Sequence, residues 1–239
     1  MVIPTSPRFV ARIAGLFAIL ACGTGLLCDT LVAEESPAKP KYRRYEQGPL
    51  KIDEFRRGPT GSVPGRALTM TRVFYNFEFE TKQLAKDEFE ARLMSLEAFS
   101  VFLPDESWWN HPDSDRLLAH EQGHFDIAEL AARRVQLTFK KLLKNNKAIT
   151  ALSRTPQAAA QALDEKLAKV IQVANDQAVE DNKLYDLQTR HGARVVRQEE
   201  YGRILLLSLK RLNQDLSDRQ PRASKEPASP KTENQQGGS

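Results

Sequence analysis

The spacing of apolar residues changes once along this chain, and that change sets the fold class. Up to Leu103, apolar side chains recur at alternate positions: Val73, Tyr75, Phe77 and Phe79, then Phe89, Ala91 and Leu93, then Phe99, Val101 and Leu103. Alternation of this kind sinks one face of a strand into a core and leaves the other wet. Leu68 and Met70 alternate on the opposite parity to Val73, which predicts a β-bulge between two half-strands. Lys82 to Asp87 reads as the turn between the two longest runs.

After Pro112 the spacing becomes that of helices. Asp113 or Ser114 can cap a helix running to about Lys144, with Lys140, Lys141 and Lys144 at its negative end. Thr155 and Pro156 supply the cap and first turn of a second helix, which reaches about His191 and stops at Gly192. A third begins near Val195, with Tyr201, Leu205, Leu209, Leu212 and Leu216 as its apolar stripe. The expectation is one α+β domain over 48–217: a small antiparallel sheet followed by three helices.

The ends read differently. Arg8 and Arg12 precede an uncharged run from Ile13 to Leu27, and Ala33 is a small residue suited to cleavage, so residues 1–33 read as an export signal. The run is shorter than the roughly 20 apolar residues that a membrane span requires. Both cysteines, Cys22 and Cys28, fall inside it, so the domain itself carries no disulfide. Ile19-Leu20-Ala21-Cys22 also has the look of a lipoprotein processing site, with Cys22 as the acylated residue. On either reading the domain is exported, to the periplasm, the cell envelope or the medium. Residues 34–47 read as a linker and 218–239, with Pro221, Pro227 and Pro230, as a disordered tail. The net charge of +4 is spread among interspersed signs without interleaved stacking aromatics, which argues against nucleic acid as a partner.

The chemistry concentrates in His120-Glu121-Gln122-Gly123-His124. Histidines four apart on a helix share a face, with Cβ atoms roughly 5–6 Å apart, and can bind one zinc ion. Glu121, offset by one residue, flanks the metal and can act as general base on the attacking water. Gly123 costs about 1 kcal/mol in a helix relative to Ala, so close approach of the sheet or of substrate is expected there.

A catalytic zinc ion takes three protein ligands and keeps one position open. Glu129 and Asp126 point about half a turn away from the histidine face. His191, at the end of the second helix before Gly192, and His111, in the loop before the first, remain as candidates, with His191 favoured.

His120-Glu-Gln-Gly-His124-Phe-Asp-Ile-Ala-Glu, followed by Tyr185-Asp186-x-x-Thr189-x-His191-Gly192, resembles the bacterial family of predicted secreted zinc-dependent proteases, also described as a domain of unknown function. The resemblance spans roughly residues 50–212. It implies that the second segment belongs to the same site and strengthens His191 as the third ligand beside His120 and His124. In that segment Tyr185 can donate to the oxyanion of a tetrahedral intermediate, Asp186 can accept the free ring N–H of a ligating histidine, and Thr189 can bond the helix end. Trp108 and Trp109 read as core or rim aromatics.

The expected function is that of a zincin-like, zinc-dependent peptidase acting on a protein or peptide substrate. Its alternatives are a metallo-amidase acting on cell-wall peptides and an envelope module that holds zinc without turnover.

Overall fold

The fold is that of a computed structural model, which describes residues 41–58, 66–111, 114–145 and 147–217. Residues 1–33, read as an export signal, with Cys22, the first half of the expected linker (34–40) and the tail after Ser217 lie outside these residues.

The sheet is built on one long antiparallel hairpin. β3 (Thr71–Ala85) and β4 (Glu88–Phe102) each run 15 residues. The turn is tighter than expected: only Lys86 and Asp87 separate them, and Asp87 takes the left-handed conformation (φ 58°) that an Asp tolerates. The bulge lies elsewhere than the parity switch suggested. Glu78 pairs with Ser95 and Phe79 with Leu93, so Met94 is the extra residue. It flips the parity of β4. Ala91 and Leu93 face the helices before it, and Leu96 and Ala98 after it. Phe99, Val101 and Leu103 therefore form a separate cluster on the other face, with Met70 and Phe74. The switch between Met70 and Val73 is a break between strands: β2 (Ala67–Leu68) pairs with β5 (Trp108–Trp109) in a second, two-stranded sheet.

Two short strands complete the main sheet. β1 (Arg43–Arg44) pairs with the end of β4 at Phe102 and Val101. The linker expected through Gln47 therefore gives way to folded chain by Arg43. The cause is the Arg43 guanidinium, which pairs with Glu54 at 2.7 Å and donates to the carbonyls of Gln47, Gly48 and Pro49. β6 (Thr150–Ser153) pairs with β4 at Phe89–Arg92, within what the sequence suggested was only a helix connection.

The three expected helices are present. α1 (Asp115–Lys144) is capped by Ser114, whose hydroxyl accepts from Leu117 N. α2 (Pro156–Thr189) is capped by Thr155, which accepts from Ala158 N. α3 (Val195–Ser217) follows after a five-residue turn. Ile127, Leu130 and Val135 of α1, Leu163, Leu167 and Ile171 of α2, and Leu205 and Leu209 of α3 share one core with Val73, Tyr75, Phe77 and Phe79. A straight α1–α2 hairpin would carry the end of α2 past the histidines. The excess is taken up because α2 starts from β6, on the turn end of the sheet. No helix among the described residues is long and apolar enough to cross a membrane.

Candidate metal centre

The middle of α1 is buried on all sides, so the histidine face looks inward. His120 is 2% exposed, and Glu121 and His124 are buried with it. The two imidazoles lie edge to face with centroids 4.9 Å apart, as the four-residue spacing requires. Asp186 of α2 meets them. Its Oδ1 lies 3.0 Å from His120 Nε2 and 3.3 Å from His124 Nε2. One ligand atom from each of His120, His124 and Asp186 falls within 4.8 Å of the other two, a spacing suited to a metal ion.

A further residue, invisible to the motif, decides the proton arrangement. Asn182 Oδ1 lies 2.9 Å from His124 Nδ1. An amide oxygen only accepts, so Nδ1 carries the proton and the neutral ring turns its Nε2 lone pair toward the Asp186 carboxylate. Two lone pairs at 3.3 Å repel unless a cation lies between them. That cation is either a proton on His124 or a metal ion bound by both groups. Burial works to lower the His124 pKa. The Asp186 hydrogen bond, the charges of Glu121 and Asp186, and Asn182 outweigh it and raise the pKa. Burial likewise works to raise the pKa of Asp186, and the hydrogen bonds and charges of both histidines hold it well below the ordinary carboxylate range. These donors fit a divalent cation.

His191 reaches the same carboxylate from the solvent side. Its Nδ1 is 3.3 Å from Asp186 Oδ1, and its side chain is 79% exposed. It arrives there through an unusual backbone: Arg190, His191 and Gly192 all have positive φ, at 48°, 49° and 78°. Left-handed conformations cost about 1–2 kcal/mol at each non-glycine residue, so this turn stores strain beside the site. Asp186, expected to support a ligating histidine, thus stands among the three converging groups, and His191 stands against Asp186. His111 is not among the converging groups; its carbonyl accepts from Trp109 Nε1.

Tyr185 forms the floor. It is 1% exposed, stacks on His120 at 4.8 Å and 15°, and meets His124 edge-on. Its hydroxyl sits over Gly123, where an added Cβ would lie 2.6 Å from the tyrosine Cζ. The neighbour that Gly123 admits is therefore this ring of α2, in place of the expected sheet or substrate. Gly192 does the same for the turn, since a Cβ there would lie 3.2 Å from His120 Cβ. Thr189 bonds the helix end as expected, donating to Tyr185 O at 2.8 Å.

The remaining motif positions are tied down from outside α1. Glu121 Oε2 accepts from Thr69 Oγ1 at 2.6 Å. Gln122 accepts from Leu50 N and donates to Asp126, which also accepts from Tyr45 Oη. Glu129 is held by Ser100 and Arg133. Asp126 and Glu129 are thus engaged on other faces, as helix geometry indicated. Sequence reasoning missed Thr69 and Asn182. Asn182 was discoverable, since it lies four residues before Asp186 on the same helix face. Thr69 carried no local signal. Trp108 is buried in β5, a core position.

Comparison of the chain with family models, curated proteins and solved structures gave no match.

Proposed function

We propose that the protein is an exported zinc-dependent peptidase of zincin-like type, in which His120, His124 and Asp186 hold the metal and Glu121 is the general base. The observation that carries this reading is the single Asp186 oxygen shared by two buried imidazole nitrogens, with Asn182 fixing the His124 tautomer so that a cation belongs between them. Bound zinc supplies Lewis acidity toward a peptide carbonyl and makes water a nucleophile near neutral pH.

The chain's own groups do the rest. Glu121, oriented by Thr69, takes a proton from the attacking water. Water oxygen joins the carbonyl carbon, the C–N bond breaks, and Glu121 returns the proton to the departing nitrogen. Tyr185 and Gly123 hold the two helices in register, so that ligands from α1 and α2 meet. His191 steadies Asp186 from the open side and stands outside the ligand set. Residues 1–33 support export.

The test is metal analysis of the full chain with digestion of denatured casein and of purified cell wall, wild type against Glu121→Gln. We expect about one zinc per chain in both proteins, and turnover lower in the variant by about 10²–10⁴-fold. Digestion of wall alone would point to the amidase. Zinc without Glu121-dependent hydrolysis of either substrate would point to the binding module.

A further inference from the structure

α3 is apolar on two sides, and the fold covers one of them. Leu205 and Leu209 are buried in the core shared with α1, α2 and the sheet. Val196, Ile204 and Leu207 lie on the other side of the helix and are 68%, 59% and 67% exposed. Single exposed apolar residues are ordinary on a protein surface. Here Ile204 and Leu207 are neighbours on one face, with Val196 about two turns before them.

The charges on that face indicate its partner. Glu200, Ile204, Leu207 and Arg211 follow one another at four, three and four residues, which places them within about 60° of arc. An acid stands at one end of this stripe, a base at the other, and the two apolar residues lie midway. Glu200 accepts from Arg197 at 3.0 Å and its side chain is still 43% exposed. Arg211 is exposed and has no hydrogen bond or ion pair among the described residues. Such a stripe is its own complement when reversed. A twofold axis midway between Ile204 and Leu207 sets each Ile204 against the second copy's Leu207, and each Glu200 against the second copy's Arg211. Parallel pairing would instead set Glu200 against Glu200 and Arg211 against Arg211, so charge selects the antiparallel arrangement. The chain's own tail is a poor match for the face: apart from three prolines, its apolar side chains after Ser217 are Ala223 and Ala228.

We propose that the outer face of α3 is a homodimer interface, occupied by α3 of a second copy running antiparallel to it. Ile204 and Leu207 form its apolar centre. The Glu200–Arg211 pairs, one at each end, fix direction and register. One helix pair lies at the small end of the range for specific interfaces, so dissociation falls in the micromolar range. The pairing is independent of the metal centre and of the peptidase reading.

The test is sedimentation velocity of the full chain over a concentration series spanning the micromolar range. Wild type is compared with Glu200→Lys, Arg211→Glu, the double variant, and an equimolar mixture of the two single variants. Any association through other parts of the chain is common to every sample. Wild type should dimerise reversibly. Each single variant should dissociate about tenfold more readily, because it sets like charges opposite one another at both ends. The double variant should return to within about threefold of wild type. The mixture should form a mixed dimer, in which the two introduced charges face each other and the two native ones face each other. A wild type that stays monomeric throughout overturns the proposal; if it then floats with vesicles of phosphatidylethanolamine and phosphatidylglycerol, the face belongs to a membrane. Single variants that associate as wild type does overturn it as well. A weakening that neither the double variant nor the mixture reverses overturns the antiparallel register.

Discussion

The ring of Tyr185 occupies the space that a side chain at Gly123 would need. The glycine of the α1 motif and the tyrosine of the α2 segment are therefore two halves of one contact, and it sets the distance between the helices that carry the candidate ligands. Gly123→Ala should destabilise the protein by about 1–3 kcal/mol through overpacking, more than the roughly 1 kcal/mol that helix propensity returns. Zinc affinity should fall with it, because His120 stacks on the displaced ring. Gly202 in α3 is the control: nothing lies within 4 Å of a Cβ added there. Gly202→Ala should stabilise by about 0.5–1 kcal/mol. Equal effects of the two variants in denaturant titrations would show that the contact does not set the spacing.

Asp186 and His191 are separable by affinity. Asp186→Ala should weaken zinc binding about a hundredfold or more by removing one of the three proposed ligands, and His191→Ala about tenfold or less, as expected of a group acting through a ligand. Competition with a chromogenic chelator measures both. The reverse order would put His191 in the ligand set.

Asn182→Leu keeps the side-chain volume and removes the acceptor for His124 Nδ1–H. Zinc affinity should drop by about 10–100-fold, with little change in the fold. An unchanged affinity would mean that His124 is oriented by packing alone.

As pH rises, the metal-free protein should lose stability while the increment contributed by zinc grows. The His124 pKa in the folded protein is raised above its ordinary 6.5, so its protonated form stabilises the metal-free fold. That contribution is complete below 6.5 and is lost as pH rises through the raised value. Asp186 is depressed, so its contribution is present above 3.8 and is lost only as pH falls through its low folded value. With chelator present, the melting temperature should therefore decline as pH rises from slightly acid to alkaline. Zinc competes with the proton on His124, so its stabilising increment should grow over the same interval. A chelator-treated protein whose melting temperature climbs across that interval would contradict the charged His124–Asp186 pair.

Much of the fold was legible because it is encoded locally. Ser114 and Thr155 cap their helices by bonding amides three residues on, and such signals survive without knowledge of what packs where. The Met94 bulge was not legible. An extra residue in a strand is defined only against its partner, and Phe99, Val101 and Leu103 keep the same parity as Ala91 and Leu93 while facing the opposite side of the sheet. β1 hid in a basic stretch because Arg43 earns its buried place through carbonyls of a loop that must first fold around it.

The site divides along the same line. His120, Glu121 and His124 are determined by sequence alone, since helix pitch by itself sets their spacing and brings both imidazoles to one face. Asp186, Asn182 and Thr69 arrive from 66, 58 and 52 residues away. No periodicity specifies which face of α2 turns toward α1. That was decided by packing, through the fit of Tyr185 over Gly123 and the left-handed turn that brings Gly192 against His120. Only the tertiary structure could therefore place the carboxylate between the two histidines and set His191 on its solvent side.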